Sequence, residues 1–451
     1  MRNLSIIGLG KLGSPMAAVF AVKGYNVIGV DKNQHFVDQI NQGIAPVVEP
    51  ELQDYITKGQ QHLSATTDIN HAIQNSDATF VIVPTPSGAD GIFTNKYVID
   101  AMTEIGAALK NKSSYHLIVI TSTVMPGSTG GEIREALEKA SGKKLGDSLG
   151  LCYSPEFIAL GSVIRNMLYP DFYLIGESDK KAGDLLEMIY LHSSENRPFV
   201  KRMNFVNAEL AKISVNTYVT TKISYANMLS EICDYLPEAD VDVVTDAIGC
   251  DSRIGIKYLK GGVAYGGPCF PRDNVAFNQL AHILDVKTDI AKATDSINHH
   301  QTQRVLNIIQ SLAQSKKRVS ILGLSYKPNT PVIEESQGIA LALKLISAGF
   351  DVSVYDPVSM PPAEAILGNK VTFADSLESA LKNKDIVVLM TAWDEFRGIN
   401  EDMFDSKETQ VIDCWRLLET SSFENMDLIH LGKGYFPQAS QKNTKAISKT
   451  G

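Results

Sequence analysis

Apolar and polar positions along this chain switch between two rhythms. The opening stretch, "MRNLSIIGLGKLGSPMAAVFAVKGYNVIGVD", begins with a short apolar run at Leu4, Ile6 and Ile7. It passes through a set of glycines, places Met16, Val19 and Phe20 at helical spacing, and ends on a second apolar run, "NVIGVD". The pattern predicts strand, turn, helix and strand, with Gly24 closing the helix. Three further apolar runs follow: "ATFVIVPTP" at 78–86, "YHLIVITSTVMPG" at 115–127 and "LGLCYSPEF" at 149–157. Each ends in a polar or proline-bearing loop. Buried parallel strands read this way, and in such sheets the C-terminal loops line the crevice where ligands bind. The plainer reading of the same loops is solvation.

From about Asn204 the rhythm changes. "NAELAKISVNTYVTTKISYANMLSEICDYL" contains no glycine or proline, and Leu210, Ile213, Thr217, Ile223, Ala226, Leu229 and Cys233 keep a helical period. This predicts one helix ~45 Å long, enough to cross and connect two domains. Lys212 and Asn216 are i,i+4 neighbours on one of its faces; alone they read as surface polar residues. From Lys317 the opening rhythm returns. "ILGLSYKP" echoes "IIGLGKLG", "GFDVSVYDP" echoes "GYNVIGVDK", and "DIVVLMTAWDEF" and "TQVIDCW" supply more strands. The expected fold class is α/β, two Rossmann-like doubly wound domains joined by a long central helix.

Composition narrows the function. A chain of 451 residues is too long for one ordinary core, so two or three domains are expected. Hydrophobic residues at 44% and charged residues at 21% fit a globular protein. No apolar run reaches the ~18 residues of a membrane span, and the N-terminus reads as a strand rather than a secretory leader, so a cytoplasmic address is expected. A net charge of −9 without a Lys/Arg block argues against nucleic acid. An anionic ligand must then be held by local amides and a few basic side chains. The five cysteines are odd in number and form no CxxC pair, which argues against a disulfide framework or a zinc site, and no metal is expected. His299 and His300 read as solvated helix surface.

Two motifs carry chemistry. Gly8, Gly10 and Gly13 form GxGxxG between the first strand and helix, and Asp31 ends the second strand 18 residues past Gly13. The glycines allow the turn, the approach of a pyrophosphate and close helix–strand packing. Asp31 is placed to accept the ribose hydroxyls of NAD and to repel the 2′-phosphate of NADP. The bland alternative is a structural turn. In the second half the fingerprint is reduced to Gly323 alone, which argues against a second dinucleotide. The other motif is "YGGPCFPRD", 265–273, where two glycines and two prolines surround Cys269. A cysteine in such a loop is either buried structure or a nucleophile. Beside an NAD domain the second has a chemical logic. An alcohol is oxidised to an aldehyde, a thiolate adds, a second hydride leaves a thioester, and water releases an acid.

"GLGKLG", "VPTP", "TSTVMPG", "SPEF", "ELAKISVNTYVTTKIS", "DSRIG", "YGGPCFPRD" and "YKPNT" followed by "EES" together resemble the UDP-glucose/GDP-mannose dehydrogenases, from residue 1 to about 437. The resemblance implies a four-electron, NAD-dependent oxidation of a sugar C6 alcohol. It implies an NAD-binding Rossmann domain at 1–203 and a central helical connector at 204–312 that carries the cysteine loop and the dimerisation region. It also implies a nucleotide-sugar-binding Rossmann-like domain at 313–438, before a disordered tail at 439–451. Cys269 would be the nucleophile, with Lys212 and Asn216 facing the C6 oxygen, Asp273 helping Lys212 to activate water, and Thr123 and Glu156 placing water and sugar. Gly8, Gly10, Lys11, Leu12, Gly13, Asp31, Thr85, Pro86, Thr123 and Arg272 would hold NAD. Phe157, Tyr258, Leu259, Lys260, Gly261, Gly262, Gly266 and Lys327 would hold the nucleotide sugar. Arg253 would serve the neighbouring subunit's site, which implies a homodimer built on the long helix.

UDP-glucose is the substrate favoured by the resemblance, with UDP-N-acetylhexosamines and GDP-mannose as alternatives. A two-electron β-hydroxyacid dehydrogenase and an inactive NAD-binding subunit are the other readings; Cys269, Lys212, Asn216 and Asp273 stand against both. Four positions depart from the family pattern. Leu160 stands where a glutamate is usual, Glu334 where an arginine is usual, Phe36 where a basic residue is common, and Arg272 where lysine is common.

Overall fold

The computed structural model describes residues 2–158, 160–313 and 317–434. It forms two compact units, Met1–Ser214 and Val215–Gly451. The first holds strands β1 (Asn3–Ile7), β2 (Asn26–Val30), β3 (Leu63–Thr66), β4 (Ala78–Val81), β5 (His116–Ile120), β6 (Leu149–Tyr153), β7 (Phe172–Glu177) and β8 (Phe199–Met203). Between them run α1 (Gly13–Val22), α2 (Gln34–Asn41), α3 (Leu52–Gly59), α4 (Ile69–Gln74), α5 (Lys96–Leu109), α6 (Arg134–Ser141), α7 (Val163–Leu168) and α8 (Lys180–Ser193). The division between the units falls inside α9 (Phe205–Asp234), the long helix.

The second unit continues with α10 (Val241–Gly249), α11 (Phe270–Ile283) and α12 (Asp289–Ala313). It then alternates β9 (Arg318–Leu322), α13 (Gln337–Ser347), β10 (Asp351–Tyr355), α14 (Met360–Leu367), β11 (Thr372–Phe373), α15 (Leu377–Leu381), β12 (Ile386–Leu389), β13 (Gln410–Asp413) and β14 (Leu428–His430). The expected tail at 439–451 lies outside the described residues.

The sheets repeat one topology. The first runs β3-β2-β1-β4-β5-β6-β7-β8, with β7 antiparallel to β6; the second runs β11-β10-β9-β12-β13-β14 and is all parallel. Both contain the doubly wound order 3-2-1-4-5-6, whose switch points lie between β1 and β4 and between β9 and β12. Strand period 2 sorts the core onto the two faces of each sheet. On β5, Leu117 and Val119 join one cluster while Ile118 and Ile120 join the other. On β12, Ile386 and Val388 divide from Val387 and Leu389 in the same way.

The second sheet also keeps more of the glycine fingerprint than the sequence suggests. Gly8 and Gly323 take matching backbone angles, φ +100° and +102°. A Cβ on Gly13 would fall on the Gly8 carbonyl oxygen, and one on Gly338 would fall on that of Gly323. So Gly338, not Gly323 alone, completes the echo. It is hidden in sequence because the turn between the two glycines is ten residues longer.

Candidate active site

In the first unit the site is built on the turn after β1. A Cβ on Gly8 would strike the Ile82 carbonyl oxygen, so strand packing requires glycine there as well as positive φ. At Gly10, by contrast, no neighbouring atom lies within 4 Å of where a Cβ would stand, which leaves the backbone open to a ligand. The N-terminus of α1 carries no side-chain cap and no acidic residue in its first turn. The Ser14 and Met16 amides bond the Gly10 and Leu12 carbonyls at 3.1 Å and Pro15 has no N–H, so an anion here would be met by the amides of the glycine turn itself and by the positive end of the helix. Asp31 holds this turn: its Oδ2 accepts from Leu9 N–H at 2.7 Å and its Oδ1 from Asn33 N–H at 2.8 Å. Lys11 is exposed, and Leu12 packs against the core below. These residues fit NAD.

The loops after β4 and β5 are tied to one another. Thr85 Oγ1 donates to the Thr123 carbonyl at 2.7 Å, and Ser122 Oγ bonds both the N–H and the carbonyl of Val83. The Pro86 carbonyl accepts from Thr94 N–H at 2.9 Å, closing the loop after β4 on itself. Lys212 on α9 is buried, not a surface residue, and its Nζ donates to the Glu156 carbonyl at 2.6 Å while lying 4.5 Å from the Phe157 ring centre. Burial pushes the Glu156 carboxyl up to about 7, against the downward pull of the Lys212 ammonium. In the loop after β6, Glu49 accepts from Gly161 N–H at 2.9 Å and Val163 N–H at 2.8 Å.

In the second unit Cys269 stands at the N-cap of α11, where the helix dipole favours an anion, and the residue is exposed. One turn on, Asp273 is almost fully buried and accepts from Asn216 Nδ2 at 2.6 Å. Arg272 Nε lies 3.7 Å from the other Asp273 oxygen. The loop is rigid for reasons the sequence half shows. Asn298 on α12 bonds both main-chain groups of Tyr265, at 2.8 and 3.0 Å. Gly267 takes φ +86°, donates to the Glu334 carbonyl at 2.9 Å and lies under the Tyr326 ring. A Cβ on Gly266 would fall on the Glu335 carbonyl oxygen.

The expected substrate residues are more dispersed. Gly262 packs against the Trp415 ring, where a Cβ would sit at 2.7 Å, and Gly261 against the Ala226 carbonyl at 2.8 Å. Leu259 is buried, whereas Tyr258 and Lys260 are exposed, Tyr258 with φ +65°. Lys327 lies 5.8 Å from the Tyr326 ring centre. Arg253 stands in an exposed loop after α10 and makes a two-pronged pair with Asp251. Among the departures, Phe36 and Leu160 both pack on the core cluster beneath the glycine turn. The Glu334 side chain is exposed, and its carbonyl is what the cysteine loop uses.

Sequence reasoning missed Glu49 and Glu209, whose partners are backbone amides that leave no mark in sequence. It also missed Asp356, the counterpart of Asp31. Asp356 accepts from Leu324 and Ser325 N–H and from Trp393 Nε1 at 3.1 Å, and it is buried. Ser336 caps α13 through Ile339 N–H. The second sheet's counterpart of the pyrophosphate turn is therefore closed by its own side chains.

Three family models match in order. They are the NAD binding domain (residues 2–194), the central domain (206–300) and the UDP binding domain (320–420) of the UDP-glucose/GDP-mannose dehydrogenase family. The UDP-glucose 6-dehydrogenase AglM of Haloferax volcanii is 36% identical over 92% of this chain and 97% of its own. The GDP-mannose 6-dehydrogenase of Pseudomonas aeruginosa is 35% identical over 78% of this chain and 81% of its own. A solved UDP-glucose dehydrogenase from Pyrobaculum islandicum superposes with a TM-score of 0.87 at 30% identity, covering 96% of this chain and 98% of that one.

Proposed function

The chain belongs to the UDP-glucose/GDP-mannose dehydrogenase family and is an NAD-dependent nucleotide-sugar 6-dehydrogenase, and from that premise we propose that it converts UDP-glucose to UDP-glucuronate through a covalent thioester on Cys269. The observation that carries the covalent route is Cys269 exposed at the N-cap of α11, in a loop fixed by Asn298.

NAD supplies the hydride acceptor, once for each of two oxidations of the same carbon. In the first, the C6 alcohol loses a hydride and its hydroxyl proton and becomes an aldehyde. The Cys269 thiolate then adds to that carbon, giving a thiohemiacetal whose oxygen carries developing negative charge. Lys212 and Asn216 stabilise this oxygen, which is worth most where water is excluded. Loss of a second hydride gives the thioester. Water, placed by Thr123 and Glu156 and activated with Lys212 and Asp273, breaks the C–S bond and releases the carboxylate and the thiol. The Asn216–Asp273 bond orients both groups for this work.

The nucleotide is read by the UDP binding domain, assisted by the 258–262 loop, Gly266 and Lys327. The 36% match to a UDP-glucose enzyme supports UDP-glucose; the 35% match to a GDP-mannose enzyme makes GDP-mannose the second reading. We also propose a homodimer in which Arg253 serves the partner's site, and domain limits at 1–203, 204–312 and 313–438. Among the described residues no helix is long and apolar enough to cross a membrane. NADH yield per sugar, measured over UDP-glucose, GDP-mannose and UDP-N-acetylhexosamines, tests the reading. Two NADH from UDP-glucose, at a kcat/KM well above the others, is expected. One NADH per sugar overturns the thioester route.

A further inference from the structure

Glu209 is a fully buried carboxylate that the reaction above does not use. Its Oε2 accepts from Gly127 N–H at 2.6 Å and its Oε1 from Thr129 N–H at 2.7 Å. Burial pushes this carboxyl up, and hydrogen bonding from Thr129 and Gly127 pulls it back. Keeping a carboxylate out of water is costly unless its lone pairs are met. Here both oxygens are met by the backbone of a single loop. That loop leaves β5 at Ile120, carries Ser122 and Thr123, bends at Gly127 with φ +96° and enters the turn that leads to α6.

The loop is thus held from two sides. Ser122 and the Thr123 carbonyl tie it to the loop after β4, and Glu209 ties it to α9. One turn further along α9, Lys212 holds the neighbouring loop through the Glu156 carbonyl. The first turns of one helix therefore grip the ends of two adjacent strands, β5 and β6. We infer that Glu209 is a positioning residue: it locks the Thr123 loop to the helical turn that carries Lys212, so that Thr123, Glu156 and Lys212 keep one register. The inference rests on the dehydrogenase reading for the roles of those three residues. The clamp itself stands on the geometry.

Glu209→Gln tests it. The variant keeps the shape but turns one acceptor into an N–H₂ facing an amide N–H. Hydrogen exchange on the intact protein should quicken in the 121–130 segment and stay unchanged across β2 and β3. In turnover with NAD and whichever nucleotide sugar the wild type oxidises, kcat should fall roughly 10- to 100-fold, as loss of alignment does. KM for the nucleotide sugar should stay within about twofold. Because general destabilisation also lowers apparent kcat by depleting folded enzyme, kcat is referred to the folded fraction, and unchanged exchange across β2 and β3 separates the two. If Glu209→Gln does not fold, Glu209→Asp keeps the charge, shortens the reach by one methylene and should show the same split more weakly. Unchanged kcat in a folded variant whose 121–130 exchange has quickened overturns the positioning role. Unchanged exchange overturns the clamp. Both results remain distinct from failure of the dehydrogenase reading, which appears in the wild type and which the exchange measurement does not need.

Discussion

At the scale of single residues, chemistry and environment are matched most closely at Cys269 and Glu156. Serine at position 269 keeps the N-cap position and the loop but gives a poorer nucleophile and no thioester. Cys269→Ser should leave NAD affinity within about twofold and lower uronate formation roughly 10³-fold or more. Titration calorimetry and product analysis check the two halves. Cys233, buried, and Cys250, exposed but outside any such loop, should tolerate serine with far smaller losses. Glu156 gives a pH signature. Its carboxyl is raised to about 7, so the folded protein holds a proton there that an unfolded chain releases near its ordinary carboxylate range. That contribution to stability is complete below the unfolded value and is lost as pH rises through about 7. If the water that Glu156 places must meet an ionised carboxylate, hydrolysis should run the other way, rising through about 7. Glu156→Gln should remove that acid limb from the kcat profile and flatten stability over the same interval, as read by thermal unfolding from pH 5 to 8.

At the scale of elements, α9 departs most from what its sequence suggests. A helical period was legible in Leu210, Ile213, Thr217, Ile223, Ala226, Leu229 and Cys233, and its length was correct, but its buried side is largely polar. Glu209, Lys212, Asn216, Thr220, Ser224, Asn227, Ser230 and Asp234 are buried, while Leu210 is 40% exposed. Hydrophobic periodicity finds such a helix, and Ile213, Thr217, Ala226 and Cys233 of its stripe are buried. It misses the polar groups that share the buried side, because most of their partners are distant in sequence: main chain for Glu209, Lys212, Ser224 and Asn227, side chains for Asn216, Ser230 and Asp234. Asn227 is the plainest case: its Oδ1 accepts from Gly262 N–H at 2.9 Å and its Nδ2 donates to the Val263 carbonyl at 3.0 Å. The strands, glycine turn and cysteine loop were readable because each has a local cause, either a period-2 run or a backbone angle. The clamps by Glu49, Glu209 and Asn227, and the completion of Gly323 by Gly338, were not, because each joins residues at least fifteen positions apart. Asn227→Ala should destabilise the protein by about 2–4 kcal/mol, since two buried main-chain groups lose their partner. It should also raise KM for the nucleotide sugar more than KM for NAD, because the freed loop is 258–262. Urea unfolding and two-substrate kinetics check both; equal changes in the two KM values would remove the loop from substrate binding.

For the whole molecule, two copies of one doubly wound topology have been put to different use. The first keeps an open, uncapped α1 over its glycine turn, and the second seals the equivalent turn with Asp356, Trp393 and Ser336. Along α9 the single chain leaves apolar side chains uncovered. Val206, Leu210, Tyr218, Tyr225 and Ile232 are each at least 40% exposed along α9, and Tyr235 just past its end is 44% exposed, far more apolar surface than one solvated helix normally shows. The homodimer proposed above would cover this face and would give Arg253, whose pairing with Asp251 lies in the open, a site to serve. A C2 arrangement would make the contribution reciprocal. Sedimentation at assay concentration should then show a species of twice the 49.2 kDa chain mass, and Tyr218→Glu combined with Ile232→Glu should shift it toward the monomer with loss of activity. Sharing of sites is a separate question, answered by mixing. Arg253→Ala and Cys269→Ala should each be inactive alone. After exchange of subunits, half of the dimers are mixed, and each mixed dimer owns one site with an intact Cys269 and the partner's intact arginine. About a quarter of wild-type activity should return. No recovery, with exchange verified by differently tagged chains, would confine Arg253 to its own subunit and leave the dimer without a catalytic reason.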